Sequence, residues 1–247
     1  QEIGYDYIVT GHYARVEYDE KRDRYLLKKA VDDTKDQSYV LYMLTQEQLA
    51  HVKLPLGGLR KDQVRVIAEK HGFINARKHD SQDICFVPDG DYAKFIEKYT
   101  GKKTPEGDFV DKEGNYIGRH KGIIHYTIGQ RRGLGIPAAS RLYVCEISPK
   151  TNTVVLGDNA DLFSSELEAD SVNLISVDSL AEPKRVTAKI RYRHKEQPAT
   201  AWQTPDGILH VKFDEPQRAI TKGQAVVMYD GDEVVGGGVI NKIYSQS

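Results

Sequence analysis

The pattern of apolar and polar positions changes character once along the chain, near Gly101. Before it, strand and helix periodicities alternate. Tyr7-Ile8-Val9, leading into Thr10-Gly11, is a continuous apolar run that predicts a buried parallel strand. Arg15–Tyr18 and Tyr25–Lys28 flank the turn-rich Asp19–Asp23 and predict a hairpin. Thr45, with Gln48 three residues later, has the form of a capping box ahead of Leu49 and Val52. Val64, Ile67 and Ala68 share one face of a helix predicted over Lys61–His71, and Gly72 is placed to end it. Ile84–Val87 predicts a short buried strand carrying Cys85. A further helix from Asp91 puts Tyr92, Phe95, Ile96 and Tyr99 on one face, predicted as core packing, with Gly101 as its stop.

After Gly101 the helical period is lost. Phe109-Val110 and Tyr116-Ile117 flank Lys112–Asn115, and Leu142–Ile147 and Thr153–Leu156 flank Pro149–Asn152, giving two predicted hairpins. Gly157–Asp161 loosens the pattern ahead of a boundary near Ser165. Beyond it, short strands are predicted at Val186–Tyr192, Thr200–Gln203, Ile208–Phe213, Ala225–Tyr229 and Glu233–Ile240. The turns between them include Pro205-Asp206-Gly207 and Asp230-Gly231-Asp232, as in a small sandwich or barrel.

Composition adds less than pattern. The 247 residues suffice for two or three domains. No apolar stretch approaches a membrane span, and no signal peptide opens the chain. Two cysteines, Cys85 and Cys145, are too few for a disulfide framework or a zinc site, which suits a reducing compartment. The formal charge of -1 argues against a polyanionic partner, but the local pattern qualifies that. Arg119–Arg132 holds four Lys and Arg and no acid, and Lys184–Lys195 holds six and no acid. Such stripes suit either a local grip on nucleic acid or an ordinary solvated strand face.

Four clusters carry candidate chemistry. Thr10-Gly11-His12 stands at the exit of the first predicted strand, where an open α/β sheet places its ligand crevice. Gly11 would let backbone approach a nucleotide and His12 would reach into the crevice; a plain turn with a surface imidazole is the alternative. Lys35-Asp36-Gln37 offers a cation for phosphate and two side chains able to read base or sugar edges, or else a polar loop feeding a buried element. Gly129–Gly135 concentrates main-chain N–H groups beside Arg131 and Arg132, as an anion cradle or a tight turn. Arg77, Lys78 and protonated His79 would favour a Cys85 thiolate, and Asp80 and Asp83 would oppose it. Cys145, in an alternating strand, reads as structural.

Thr10-Gly11-His12-Tyr13-Ala14-Arg15, Lys35-Asp36-Gln37-Ser38-Tyr39, the Cys85 segment and Tyr126–Gly135 occur in one order and spacing. In these motifs the chain closely resembles the tRNA-specific 2-thiouridylases from Tyr5 to about Ile240. The resemblance implies an α/β nucleotide-binding domain of the PP-loop ATP pyrophosphatase type (partial, residues 1–93), a small central mostly-β domain (94–165) and a C-terminal tRNA-binding β-barrel (166–247). It implies a cytoplasmic sulfurtransferase: ATP, with Mg2+ bound through it, adenylates the wobble uridine C2 carbonyl of tRNA, and a cysteine persulfide then delivers sulfur. The family roles carried over are Cys85 as persulfide carrier, Gly11 on ATP, and His12, Lys35, Asp36, Gln37, Arg191, Tyr192 and Gln224 on tRNA; Arg193 and His194, beside the matched pair, are expected as lesser helpers. A protein that donates persulfide sulfur is the further implied partner. The family's phosphate-binding loop and a second cysteine precede the Gly-His-Tyr motif and are not in this chain. The expectation is therefore the carboxyl-terminal two-thirds of an enzyme, inactive alone, with a non-catalytic RNA-binding module as the alternative.

Overall fold

The structure is a computed structural model that describes residues 4–76, 87, 91–137 and 140–244. It divides into two compact units. One takes in the described chain up to residue 76 together with Ser165–Pro216 and Thr221–Tyr244; the other lies between residues 87 and 164, with Gln217–Ile220 added.

In the first unit, β1 (Ile8–Val9) opens the chain and is exposed, with Ile8 at 68% and Val9 at 64%. This corrects the predicted burial. The strand partner of β1 is β4 (Val52–Lys53), in parallel, and a ladder two residues long has no second layer to exclude water. The predicted hairpin is present as β2 (Ala14–Asp19) and β3 (Arg24–Lys29), in register from Ala14↔Lys29 to Asp19↔Arg24. Asp19 fixes its turn by accepting from the N–H groups of Lys21 and Arg22. After α1 (Ser38–Leu41) comes α2 (Gln46–Ala50), whose capping box forms as expected: Gln48 N–H donates to Thr45 Oγ1 at 3.3 Å and Thr45 N–H to Gln48 Oε1 at 3.0 Å. Val52 lies in β4, not in the helix. Helix α3 (Lys61–Lys70) ends before Gly72, which takes φ +72°. Its apolar face is only partly covered: Val64 and Ala68 are half-buried and Ile67 is exposed.

The second unit starts with α4 (Tyr92–Thr100), capped by Asp91, which accepts from Lys94 N–H, and stopped at Gly101 with φ +66°. The predicted aromatic stripe forms on this helix but is not core: Tyr92, Ile96 and Tyr99 are exposed, and Ala93 is the helix residue that is buried. Phe95 and Tyr99 stack on each other, centroids 6.1 Å apart, rather than under a second layer. Next come β5 (Gly107–Val110), β6 (Tyr116–His120), β7 (Tyr143–Ser148) and β8 (Thr153–Gly157), in the order β6-β5-β8-β7. These are the two predicted hairpins, joined through the parallel β5–β8 pair. Phe109, Val144, Val154 and Leu156 form their core. His120 is buried against it, Nδ1 accepting from Gly122 N–H at 3.0 Å and Nε2 donating to Asn152 O at 3.1 Å.

The last strands are β9 (Phe163–Leu174), β10 (Lys184–Lys189), β11 (Gln197–Gln203), β12 (Leu209–Arg218), β13 (Ala225–Asp230) and β14 (Glu233–Tyr244). They run β13-β10-β11-β12-β9-β14, and a β13–β14 ladder closes them into a six-stranded barrel. Closure removes the sheet edges, and alternating side chains fill the interior: Ala199, Ala201, Leu209, Val211, Val226 and Met228 are all inaccessible. The hairpin β2–β3 adds to β14 through Lys28↔Glu233. At Gly237 a Cβ would meet Val226 O at 2.5 Å and Tyr42 Cδ2 at 2.7 Å, so this glycine lets Tyr42 seat on the barrel wall. Asn173 anchors the same chain turn by donating to Tyr42 O and Leu44 O.

Candidate nucleic-acid interface

Residues far apart in sequence meet on one face of the first unit. Tyr13 is linked to Gln37 twice: Tyr13 N–H donates to Gln37 Oε1 at 2.9 Å, and Gln37 N–H donates to Tyr13 O at 2.8 Å. Asp36 folds the same loop, its Oδ1 accepting from Ala30 N–H at 2.9 Å and its Oδ2 from Ser38 Oγ–H at 2.7 Å. The main-chain oxygen of Asp36 then accepts from the Tyr192 hydroxyl at 3.2 Å, across 156 residues of chain. Tyr39 packs beside Tyr192, centroids 6.0 Å apart, and donates to Ala225 O at 2.9 Å, next to the exposed Gln224. Lys35, Asp36, Gln37, Tyr192 and Gln224 thus belong to one connected surface, with His12 adjoining it through Tyr13. Arg191 precedes Tyr192, and its carbonyl accepts from His194 N–H at 3.0 Å.

This surface is electrostatically uneven. Lys189 stands over both Tyr39 and Tyr192, 5.6 and 5.8 Å from the ring centroids. Burial pulls its ammonium below the ordinary lysine value, with nearby Lys29 acting in the same direction and Asp36 and Glu196 opposing. Burial likewise pulls His194 down, helped by Arg191 and Lys189, so the imidazole is held neutral at pH 7. Its Nδ1 is buried and makes no hydrogen bond among the described residues. Lys29 pairs with Glu196 at 2.7 Å and stands 4.6 Å above the Tyr229 ring, tying the hairpin to the barrel. Tyr39 closes the Lys35–Tyr39 motif and Lys189 lies inside the acid-free basic stretch, but the sequence assigns neither a role of its own.

Not all of that basic stretch is positive. Lys184 is paired with Asp230 of β13 at 2.8 Å and Arg185 with Asp214 of β12 at 2.7 Å, acids that are invisible in the local sequence. Its far end holds Lys189, Arg191, Arg193 and Lys195.

Gly11 is exposed and does not take a left-handed φ, and a Cβ there would make only an ordinary 3.6 Å contact with Leu56 Cδ1. The fold described here therefore makes no steric or conformational demand for glycine at this position. His12 Nδ1 lies 2.9 Å from Thr10 Oγ1, which fixes the ring beside Gly11. Cys85 and its neighbours Ile84 and Phe86 lie outside the described residues; Val87, the end of the predicted strand, is buried as expected but belongs to no strand. Cys145 is half-buried, its thiol pushed up to about 11, chiefly by burial and next by Asp161, which makes it a poor nucleophile. Among the described residues no group of three or more His, Cys, Asp or Glu could hold a metal ion, and no helix is long and apolar enough to cross a membrane.

Comparison with known proteins bears on these features. Residues 1–89 match the family described as tRNA methyl transferase HUP domain, 93–158 the tRNA methyl transferase PRC-barrel domain and 164–240 the aminomethyltransferase beta-barrel domain. The tRNA-specific 2-thiouridylase MnmA of Clostridioides difficile (strain 630) is 57% identical over 98% of this chain and 67% of its own length. The protein of the same name from Acetivibrio thermocellus is 56% identical over 96% of the chain and 66% of its own length. This chain belongs to the tRNA-specific 2-thiouridylase family. It spans about two thirds of the length of these relatives. The methyl transferase wording of the domain descriptions and the thiouridylase name of the relatives differ on the chemistry while agreeing on tRNA. For the family fold, the three matched segments correspond to the α/β beginning, the hairpin sheet and the closed barrel seen here.

Proposed function

We propose that this chain forms the substrate-gripping and sulfur-carrying part of a cytoplasmic tRNA 2-thiouridylase, organised as residues 1–93, 94–165 and 166–247. The observation that carries the reading is the Asp36–Tyr192 hydrogen bond, which joins two motifs of this family into one surface although 156 residues separate them. On that surface Lys35 and Arg191 take phosphates, Tyr192 and Gln224 meet base or sugar, and His12 approaches the reacting nucleotide. The carboxylate of Asp36 is engaged by Ala30 N–H and the Ser38 hydroxyl, and the amide oxygen of Gln37 by Tyr13 N–H, so these two residues act by holding Lys35 and Tyr192 in place. ATP is a substrate, reached by backbone at Gly11, and any Mg2+ enters bound to it.

Chemically, the uridine C2 oxygen attacks the α-phosphorus of ATP and pyrophosphate leaves, which turns a poor leaving group into a good one. The terminal sulfur of a persulfide on Cys85 then attacks C2 and AMP departs with the oxygen. The Cys85 S–S bond is cleaved when the thiolate of a second cysteine, supplied from outside this chain, attacks the Cys85 sulfur. This leaves 2-thiouridine and a disulfide. The outer sulfur of Cys85 comes from a donor protein that itself carries persulfide.

The test uses the full-length protein with tRNA and ATP. Cys85→Ser should abolish thiouridine formation while tRNA-dependent pyrophosphate release continues. Thiolation by the serine variant at the parent's rate would remove Cys85 from the mechanism.

A further inference from the structure

The loop Gly129–Gly135 has no part in the surface described above, yet in the second unit it builds a site of its own. A cavity of about 520 Å³ is lined by Arg131, Gly133, Leu134, Gly135, Ile136, Pro137 and the segment Ser140–Leu142. Arg131, Ser140 and Arg141 are exposed, whereas Leu134, Ile136 and Leu142 are half-buried against the hairpin-sheet core. The apolar floor is therefore anchored while the cationic rim faces solvent. Gly129 N–H bonds Val144 O at 2.8 Å and Val144 N–H bonds Gln130 O at 2.9 Å, which pins the start of the loop to β7. Gln130 braces the turn further: its Oε1 accepts from Thr127 N–H and its Nε2 donates to Arg132 O, both at 3.0 Å.

The charge here is unbalanced. From residue 114 to residue 145 the sequence has no Asp or Glu, and Arg131, Arg132 and Arg141 pair with no carboxylate among the described residues. The other cation-rich segments are treated differently: Arg119 leans on Asp108 and Glu106, Lys184 on Asp230, Arg185 on Asp214. Main-chain donors stand beside the two guanidiniums as well. The N–H groups of Gly133, Gly135 and Ile136 have no acceptor among the described residues, and Gly133 and Gly135 sit at φ +76° and +69°. Guanidinium forks and unsatisfied N–H groups together are the chemistry of a phosphate site. No aromatic ring lines the cavity, so it offers nothing for stacking a base.

We propose that this cleft, bounded by Arg131 and Arg141, binds a phosphodiester of the tRNA backbone, a second contact on a different unit from the Lys35–Tyr192 surface. The inference rests on tRNA being the substrate. A site with charge and no base platform positions a nucleic acid without reading its sequence, and its contribution falls with salt.

The experiment compares the full-length protein with an Arg131→Gln/Arg141→Gln double variant and an Arg131→Lys/Arg141→Lys double variant, by tRNA affinity over a salt series. Losing two phosphate contacts should weaken binding about tenfold and flatten the salt slope by about one to two units, while the lysine pair should keep the slope. Both arginines are exposed, so thermal unfolding should be unchanged. Wild-type affinity and slope in the glutamine variant, with Lys35→Ala still impaired, would overturn this inference and leave the proposed function standing. Weakened binding of ATP or inorganic phosphate with tRNA affinity intact would overturn it in favour of a free anion. Absence of tRNA binding by the wild-type protein would sink the proposed function and this site with it.

Discussion

Ile8 and Leu209 are both apolar strand residues of the same compact unit, yet Ile8 is 68% exposed and Leu209 is fully buried. The difference lies in their surroundings. Leu209 sits in a sheet that closes on itself, so every strand has two neighbours and a filled interior. Ile8 sits in a two-stranded parallel ladder, where the same apolar run meets water on both faces. Apolar sequence selects a strand in both places. Burial is decided by the second layer, which is a property of topology.

The sharpest way to break this comparison is to truncate both residues in this 247-residue chain. Leu209→Ala should cost about 2–4 kcal/mol through lost transfer energy and a cavity in the barrel, and Ile8→Ala should stay within about 0.5 kcal/mol. Denaturant unfolding checks both. Equal costs would mean that β1 is as well covered as the barrel interior.

A smaller effect separates the polar packing of the two regions. Asp32 is buried and accepts from Thr34 Oγ–H at 2.6 Å and from Lys61 N–H at 2.9 Å, linking the hairpin's exit to the start of α3. These bonds, Thr34 first, hold its carboxyl below the ordinary value. A depressed folded-state value means the stabilisation is present above the unfolded carboxylate range, near pH 4, and is lost as pH falls through the folded value. Asp32→Asn should therefore cost about 1–2 kcal/mol at neutral pH. The gap to wild type should close in acid, read by thermal melts over a pH series. A pH-independent gap would assign the loss to packing.

Much of the fold was legible because its signals are local. The β2–β3 hairpin, the Thr45–Gln48 box, the Asp91 and Gly101 limits of α4 and the two hairpins of the second unit all depend on residues within a few positions of one another. Strand β9 escaped because Glu166, Glu168 and Asp170 mask the alternation of Leu167 and Ala169, which are inaccessible. The burial predicted for β1 and for the α4 stripe failed because neither has a covering layer here. Of the site, the motif residues were legible one by one. Their meeting was not, since the Asp36–Tyr192 contact and the neutralisation of Lys184 and Arg185 are made by partners remote in sequence.

The central claim is that motifs from the two ends of the chain form one tRNA-binding surface on the first unit. Its most direct test is the salt dependence of tRNA affinity for the full-length protein, Lys35→Ala, Arg191→Ala and their combination, with Gln224→Ala as an uncharged control. Each lost cation should weaken binding and lower the salt slope by about one unit, and the combination by about two. Gln224→Ala should weaken binding with the slope unchanged. Wild-type slopes in Lys35→Ala and Arg191→Ala would contradict the account.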